Sequence, residues 1–147
     1  MASTYELVKE FKNKYKSTIC WRIKKHSKLI DNNLNSDEKV LYAFAAQNDD
    51  SHRSIFNTAV LALTNERLLI AQDYIILGYR LNSVTPDLYN DLQIYAGIIW
   101  GTVTIDTAKE VLNFSNISKK ALPEIQTSIS SFMIEAKKKY PQKPKDS

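Results

Sequence analysis

Few residues in this chain have side chains that could do chemistry. Its 147 residues include two histidines and one cysteine. His52 sits beside Asp49 and Asp50, and a histidine next to carboxylates can bind a metal or titrate near neutrality. Three near-adjacent loop residues make a poor preformed site, however, and a solvated loop is the expectation. His26 lies on an apolar helical arc and is expected to be semi-buried rather than a ligand. Cys20 is alone, so it can form neither an internal disulfide nor a cysteine-based zinc site, and it is expected as a small, partly buried helix residue. Asp87 and Asp91 would meet only on a short helix. The sequence holds no H-E-x-x-H, P-loop, G-x-G-x-x-G or G-x-S-x-G. Nothing pairs a nucleophile with an oriented base. The expectation is a non-enzyme with no metal and no cofactor.

Charge offers more. Residues 1–33 carry eight Lys/Arg against three Asp/Glu, residues 34–118 five against ten, and residues 119–147 seven against three. The net charges are +5, −5 and +4. An acidic middle with basic ends speaks to partners and self-association. If residues 3–30 form one helix, Lys9, Lys14, Lys24, Lys25 and Lys28 fall opposite its apolar stripe, with Trp21 among them. Such a face suits an anionic membrane surface or an acidic patch on a partner. Trp21, Lys14, Lys24, Lys25 and Lys28 are therefore the candidate binding residues. Lys12, Lys16 and Arg22 interrupt the stripe, which argues against deep membrane burial. Nucleic acid is disfavoured: 16 of the 20 basic residues are lysine, a poor bidentate reader of bases.

The elements that must hold these residues follow from periodicity. Ser3-Thr4-Tyr5-Glu6 has the form of a capping box. Val8, Phe11, Tyr15, Ile19, Ile23, His26 and Ile30 share an arc of about 120°. This predicts one long helix, or two with a break and second cap near Ser17-Thr18. Val40 to Phe44 reads as a strand, 48–51 as a turn, and Ile55 to Leu63 as a strand buried on both faces. Asn65 can take the left-handed conformation of a tight turn, and Arg67 to Ala71 leads back. Tyr74 to Leu81 reads as a third run with a bulge at Gly78, and Pro86-Asp87 as a loop. Residues 92–103 alternate on both faces, so Gly97 and Gly101 are expected to let one bent strand turn a corner. Val103 to Ile105 and Val111 to Phe114 pair across a loop at 106–110. A last helix has Pro123 in its first turn, with Leu122, Ile125, Ile129, Phe132, Met133 and Ala136 as its stripe.

No run approaches the ~18 apolar residues of a membrane span, and the start does not read as a secretory signal, so a cytoplasmic setting is expected. The order is a helix or two, about seven strands, then one helix. It predicts a mainly β, α+β fold: a curled antiparallel sheet closed by a C-terminal helix.

Three motifs refine this: Glu38-Lys39-Val40-Leu41, Leu63-Thr64-Asn65-Glu66-Arg67-Leu68-Leu69, and Gly101-Thr102-Val103-Thr104-Ile105. Together they resemble the bacterial pleckstrin-homology (PH)-like domains, most closely the YokE-like PH group, over about residues 36–138. The resemblance implies a bent seven-stranded barrel plugged by a C-terminal helix, at 35–140. A basic helical arm (1–34) would precede it and a frayed tail (141–147) follow. Thr64, Asn65 and Arg67 are read as structural, with Arg67 reaching an acidic group or carbonyl of a neighbouring strand. Phosphoinositide-binding PH domains use Lys/Arg between their first two strands. Here that loop, 47–53, has net charge −1, so the expected lipid site is missing. PH-like folds also take peptides between an edge strand and the C-terminal helix, where Phe132, Met133 and residues 92–100 would lie. The expected role is protein interaction or homo-oligomeric assembly. The alternative is anionic-membrane binding through the N-terminal helix.

Overall fold

In a computed structural model, residues 3–48, 56–74 and 76–139 are described. Helices α1 (Thr4–Lys14) and α2 (Ile23–Asn32) precede seven strands: β1 (Val40–Gln47), β2 (Thr58–Thr64), β3 (Leu68–Tyr74), β4 (Gly78–Val84), β5 (Tyr89–Ala96), β6 (Trp100–Thr107) and β7 (Val111–Ser118). A short 3₁₀ turn leads into α3 (Leu122–Lys137). The strands form one antiparallel sheet in the order β4-β3-β2-β1-β7-β6-β5. It curls into a half-barrel, and α3 closes it against β5 and β6. Leu122, Ile125, Ile129 and Met133 are buried there, with Phe132 packed at the margin. Met133 is fully buried, so it cannot line a peptide groove.

The sheet has two apolar faces. Phe44, Leu61, Leu63, Leu68, Ile70, Phe114 and the α3 stripe fill the inner one. Ala43, Ala45, Val60, Ala62, Leu69 and Ala71 face outward and are covered by Val8, Cys20 and Ile30. Residues 3–33 are thus laid against the sheet, with α1 on β1 and α2 on β3 and β2. Phe11 reaches round to the inner cluster, where its ring lies 5.8 Å from that of Phe44.

The helical segment is two helices rather than one. Ser3 caps α1, its Oγ accepting from the amide of Glu6 at 3.2 Å. Thr18 caps nothing; its Oγ1 accepts from the amide of Ser118 at 2.9 Å. The amide of Ile19 donates to the Asn116 carbonyl at 3.0 Å. Residues 15–22 therefore leave the helix to bind β7, and Cys20 is buried outside any helix. Burial pushes its thiol pKa up.

Four strand expectations need correction. Phe56 is 88% exposed, so the doubly buried run starts only at Thr58. Asn57 ends it, its amide donating to Gln47 Oε1 at 2.7 Å and its Nδ2 to the Asn48 carbonyl at 2.6 Å. Tyr74 to Leu81 is no bulged strand: Ile76 and Leu77 lie in a turn, and Gly78 begins β4 with φ +91°. Residues 92–103 are not one bent strand but the β5–β6 hairpin, reversing at Gly97 to Ile99. Gly101 has another job there. A Cβ at this position would lie 2.4 Å from Leu122 Cδ1 and 2.6 Å from the Tyr95 carbonyl oxygen, so its absence lets α3 close on the sheet. Finally, Asn65 is not left-handed, since the non-glycine residues with positive φ among those described are Arg22 and Asn116. The tail 141–147 and the 49–53 loop, with His52, lie outside the described residues.

The Thr64-Asn65-Arg67 turn is structural in a specific way. Asn65 imitates a strand neighbour of Lys39: its Oδ1 accepts from the Lys39 amide at 2.8 Å, and its own amide donates to the Lys39 carbonyl at 3.0 Å. Arg67 forks onto Glu38, Nε to Oε2 and Nη2 to Oε1, both at 2.9 Å. The Glu38 side chain is fully buried. Thr64 Oγ1 donates to Glu38 Oε2 at 2.6 Å, and the Asn35 amide donates to Oε1 at 3.0 Å. Burial alone would raise the Glu38 pKa, but these donors outweigh it and hold the carboxyl below its ordinary value. Arg67 Nη2 also reaches the Asn33 carbonyl at 3.1 Å. One ion pair thus ties the end of α2, the start of β1 and the β2–β3 turn.

Removing one partner of such a pair leaves a buried charge unanswered. Arg67→Ala should lower stability by about 3 kcal/mol, measured by urea denaturation. An Arg67→Ala protein within 1 kcal/mol of the wild type would show that the pair is dispensable.

Candidate functional site

The break between the two helices disperses the expected basic face. Lys14 ends α1 and pairs with Glu124 of α3 at 2.7 Å, which also accepts from the Tyr42 hydroxyl at 2.9 Å. That pairing raises the Lys14 pKa. Lys24, Lys25 and Lys28 are exposed on α2. Lys24 stands 5.9 Å from the Tyr5 ring, and Lys9 4.7 Å from the same ring. Trp21 lies on neither helix. It sits in the 15–22 connection, 54% exposed, with its amide donating to Thr58 Oγ1 at 3.0 Å.

That anchor puts Trp21 on the rim of a cleft of about 610 Å³ between the start of α2 and the adjoining ends of β2 and β3. The volume falls in the range of ligand pockets. The rim is apolar: besides Trp21 it holds Phe56, Ile76 and Leu77, each more than 80% exposed. Its polar lining comes from Arg22, His26, Thr58, Gln72 and Asp73. Of the four apolar rim residues, sequence reasoning singles out Trp21 and misses the other three. The available signal was Ile76-Leu77 just before Gly78, apolar residues where a hairpin turn ordinarily takes polar ones.

The polar lining is held in a fixed state. Arg22, at φ +53° before α2, donates from Nη1 to the Asp73 carbonyl at 2.6 Å and from Nη2 to Asp73 Oδ1 at 3.0 Å. The Asp73 amide donates to His26 Nδ1 at 2.8 Å. With Nδ1 accepting, neutral His26 carries its proton on Nε2. Burial first, and then the Arg22 charge, push its pKa down to about 4, with Asp73 opposing weakly. His26 is therefore neutral at pH 7. Gln47 Nε2 donates to Thr58 Oγ1 at 2.9 Å and to the Ile19 carbonyl at 2.8 Å. Among the described residues, no group of three or more His, Cys, Asp or Glu could hold a metal ion, and no helix is long and apolar enough to cross a membrane.

A half-barrel of seven antiparallel strands closed by a C-terminal helix is the PH-like class of fold. The family model for the bacterial PH domain matches residues 34–131, and the chain belongs to that family. Among solved structures, the chain is similar to a pleckstrin-homology domain from Shewanella amazonensis SB2B, with 13% identity and a TM-score of 0.52, covering 75% of this chain and 96% of that one. It is also similar to a DUF1696 family protein with a pleckstrin-homology domain from Shewanella loihica PV-4, with 12% identity and a TM-score of 0.49, covering 78% and 92%. At 13% identity the first of these speaks to fold alone. No curated protein matches the chain.

The depressed His26 pKa has a sign that can be checked. Its folded value lies below the ordinary 6.5, so the unfolded chain binds the proton more readily. The contribution is fully present above pH 6.5 and is lost as pH falls toward 4, by about 2 kcal/mol at pH 5. Glu38 and Glu124, whose pKa values are lowered from 4.5, lose their contributions only at the lower end of that window and beneath it. His26→Gln should flatten the stability profile between pH 6.5 and 4.5 in urea melts at stepped pH. An unchanged slope in that variant would mean His26 is not the group responsible.

Proposed function

We propose that this chain is a non-enzymatic interaction module whose cleft beside Trp21 takes an apolar segment of another polypeptide, from a partner or a second copy. The observation that carries this reading is the rim. Phe56, Ile76 and Leu77 stand almost fully in water around one concave site, with Trp21 half-buried beside them. Together they leave apolar area unsatisfied, as protein interaction sites do, and Trp is among the side chains enriched at interface hot spots. The polar lining supports the same reading. Asp73 is engaged by Arg22, and the one histidine is held neutral, so the lining offers hydrogen bonds and no activated base.

The test selects peptides from a random displayed library against the full chain. Bound peptides should be apolar-rich and should shift the indole N–H resonance of Trp21 while leaving that of Trp100 in place. Leu77→Glu should weaken them about tenfold or more. If the occupant is a second copy, light scattering should give a mass above 16.8 kDa, which Leu77→Glu returns to the monomer. A monomeric wild type whose selected peptides bind Leu77→Glu equally well would refute the proposal.

A further inference from the structure

A second apolar feature lies away from the cleft, at the tip of the β5–β6 hairpin. The Gly97 amide donates to the Trp100 carbonyl at 2.9 Å, which leaves Ile98 and Ile99 as the two central residues of a tight turn. Ile98 is 94% exposed and Ile99 52%. Turn chemistry favours Gly, Asn, Asp or Ser at such positions, and β-branched residues gain nothing by standing in water there. Tyr95, just inside the turn, is 66% exposed.

The surroundings are cationic. From Leu92 to Ile105 the hairpin contains no charged residue. The amide of Lys119 donates to the Ile99 carbonyl at 2.9 Å, so exposed Lys119 and Lys120 adjoin the tip. Trp100 Nε1 donates to the Ser17 carbonyl at 2.6 Å, which brings up exposed Lys16 as well. None of the three lysines has an ion-pair partner among the described residues. The nearby acid Glu124 is already engaged by Lys14 and Tyr42.

We propose that this hairpin tip docks on an anionic bilayer surface. Ile98 and Ile99 enter the boundary between headgroups and acyl chains, Tyr95 and Trp100 lie at headgroup level, and Lys16, Lys119 and Lys120 face the lipid phosphates. Uncharged aliphatic side chains enter an interface without desolvating a charge. Tyr and Trp are suited to its polar margin, and lysines at its edge are drawn to negative lipid within a Debye length. The surface shares no residue with the α2 lysines Lys24, Lys25 and Lys28 or with the Trp21 cleft.

The full chain is sedimented with large unilamellar vesicles of phosphatidylcholine, with and without an equal part of phosphatidylglycerol. Binding is expected only with phosphatidylglycerol, falling as salt rises. Ile98→Ser with Ile99→Ser should lower the partition coefficient about tenfold or more, and Lys119→Glu with Lys120→Glu should lower it further. Both pairs lie on the surface, so their thermal melts should match the wild type. Lys24→Glu with Lys25→Glu, and Leu77→Glu in the cleft, should leave vesicle binding unchanged. Absence of binding, equal binding by the isoleucine variant, or loss of binding in the Lys24/Lys25 variant would each overturn the proposal. So would a drop in solution mass caused by the isoleucine substitutions in vesicle-free buffer, which would make the tip a contact between copies.

Discussion

Strand β2 has no side that faces water. Every residue from Thr58 to Thr64 is buried, so its two faces must be covered by different parts of the chain. The inner cover is the curled sheet itself with α3; the outer is α1, α2 and their connection. The small side chains on the outer face, Ala43, Ala45, Ala62 and Ala71, let the helices come close. Because both faces are apolar, the strand's polar ends need their own partners. At one end Thr58 bonds Gln47 and the Trp21 amide; at the other Thr64 bonds Glu38. The Glu38–Arg67 pair is thus the terminus of a doubly covered strand, the place where a charge can be buried because four donors converge on it.

The same constraint explains what the sequence could tell. Periodicity found the C-terminal helix, most of its stripe and the central strands, because burial of those positions depends on local pattern, and turn-residue type marked the T-N-x-R turn between two of them. It failed where a side chain answers to something distant. Thr18 and Ser17 looked like a second cap, but their partners are Ser118 and Trp100. Asn65 looked like a left-handed turn residue, but its side chain serves Lys39. Alternation from Leu92 to Val103 runs unbroken because Ile98 and Ile99 keep the apolar texture through a turn that would ordinarily interrupt it.

The candidate site was only partly legible for a related reason. Trp21 stood out by type, yet its setting was read from a helix that does not continue through it. Leaving the helix at Tyr15 separates Lys14 from Lys24, Lys25 and Lys28, and brings Trp21 to Thr58 instead. The cleft then forms from three stretches far apart in sequence: 21–26, 56–58 and 72–77. No local window contains it.

The stitching of residues 14–19 to β6, β7 and α3 also bears on how the molecule forms. The bonds Thr18–Ser118, Trp100–Ser17 and Lys14–Glu124 close loops of 100, 83 and 110 residues. Long loops and antiparallel pairing raise contact order, and folding slows accordingly, toward the millisecond-to-second range of β-rich domains. During synthesis α1 can pack on α2 and β1 early, but the bonds that fasten its C-terminal end wait for β6, β7 and α3. A segment made before the whole sheet thus has bonds that can close only after the last strand and helix are made.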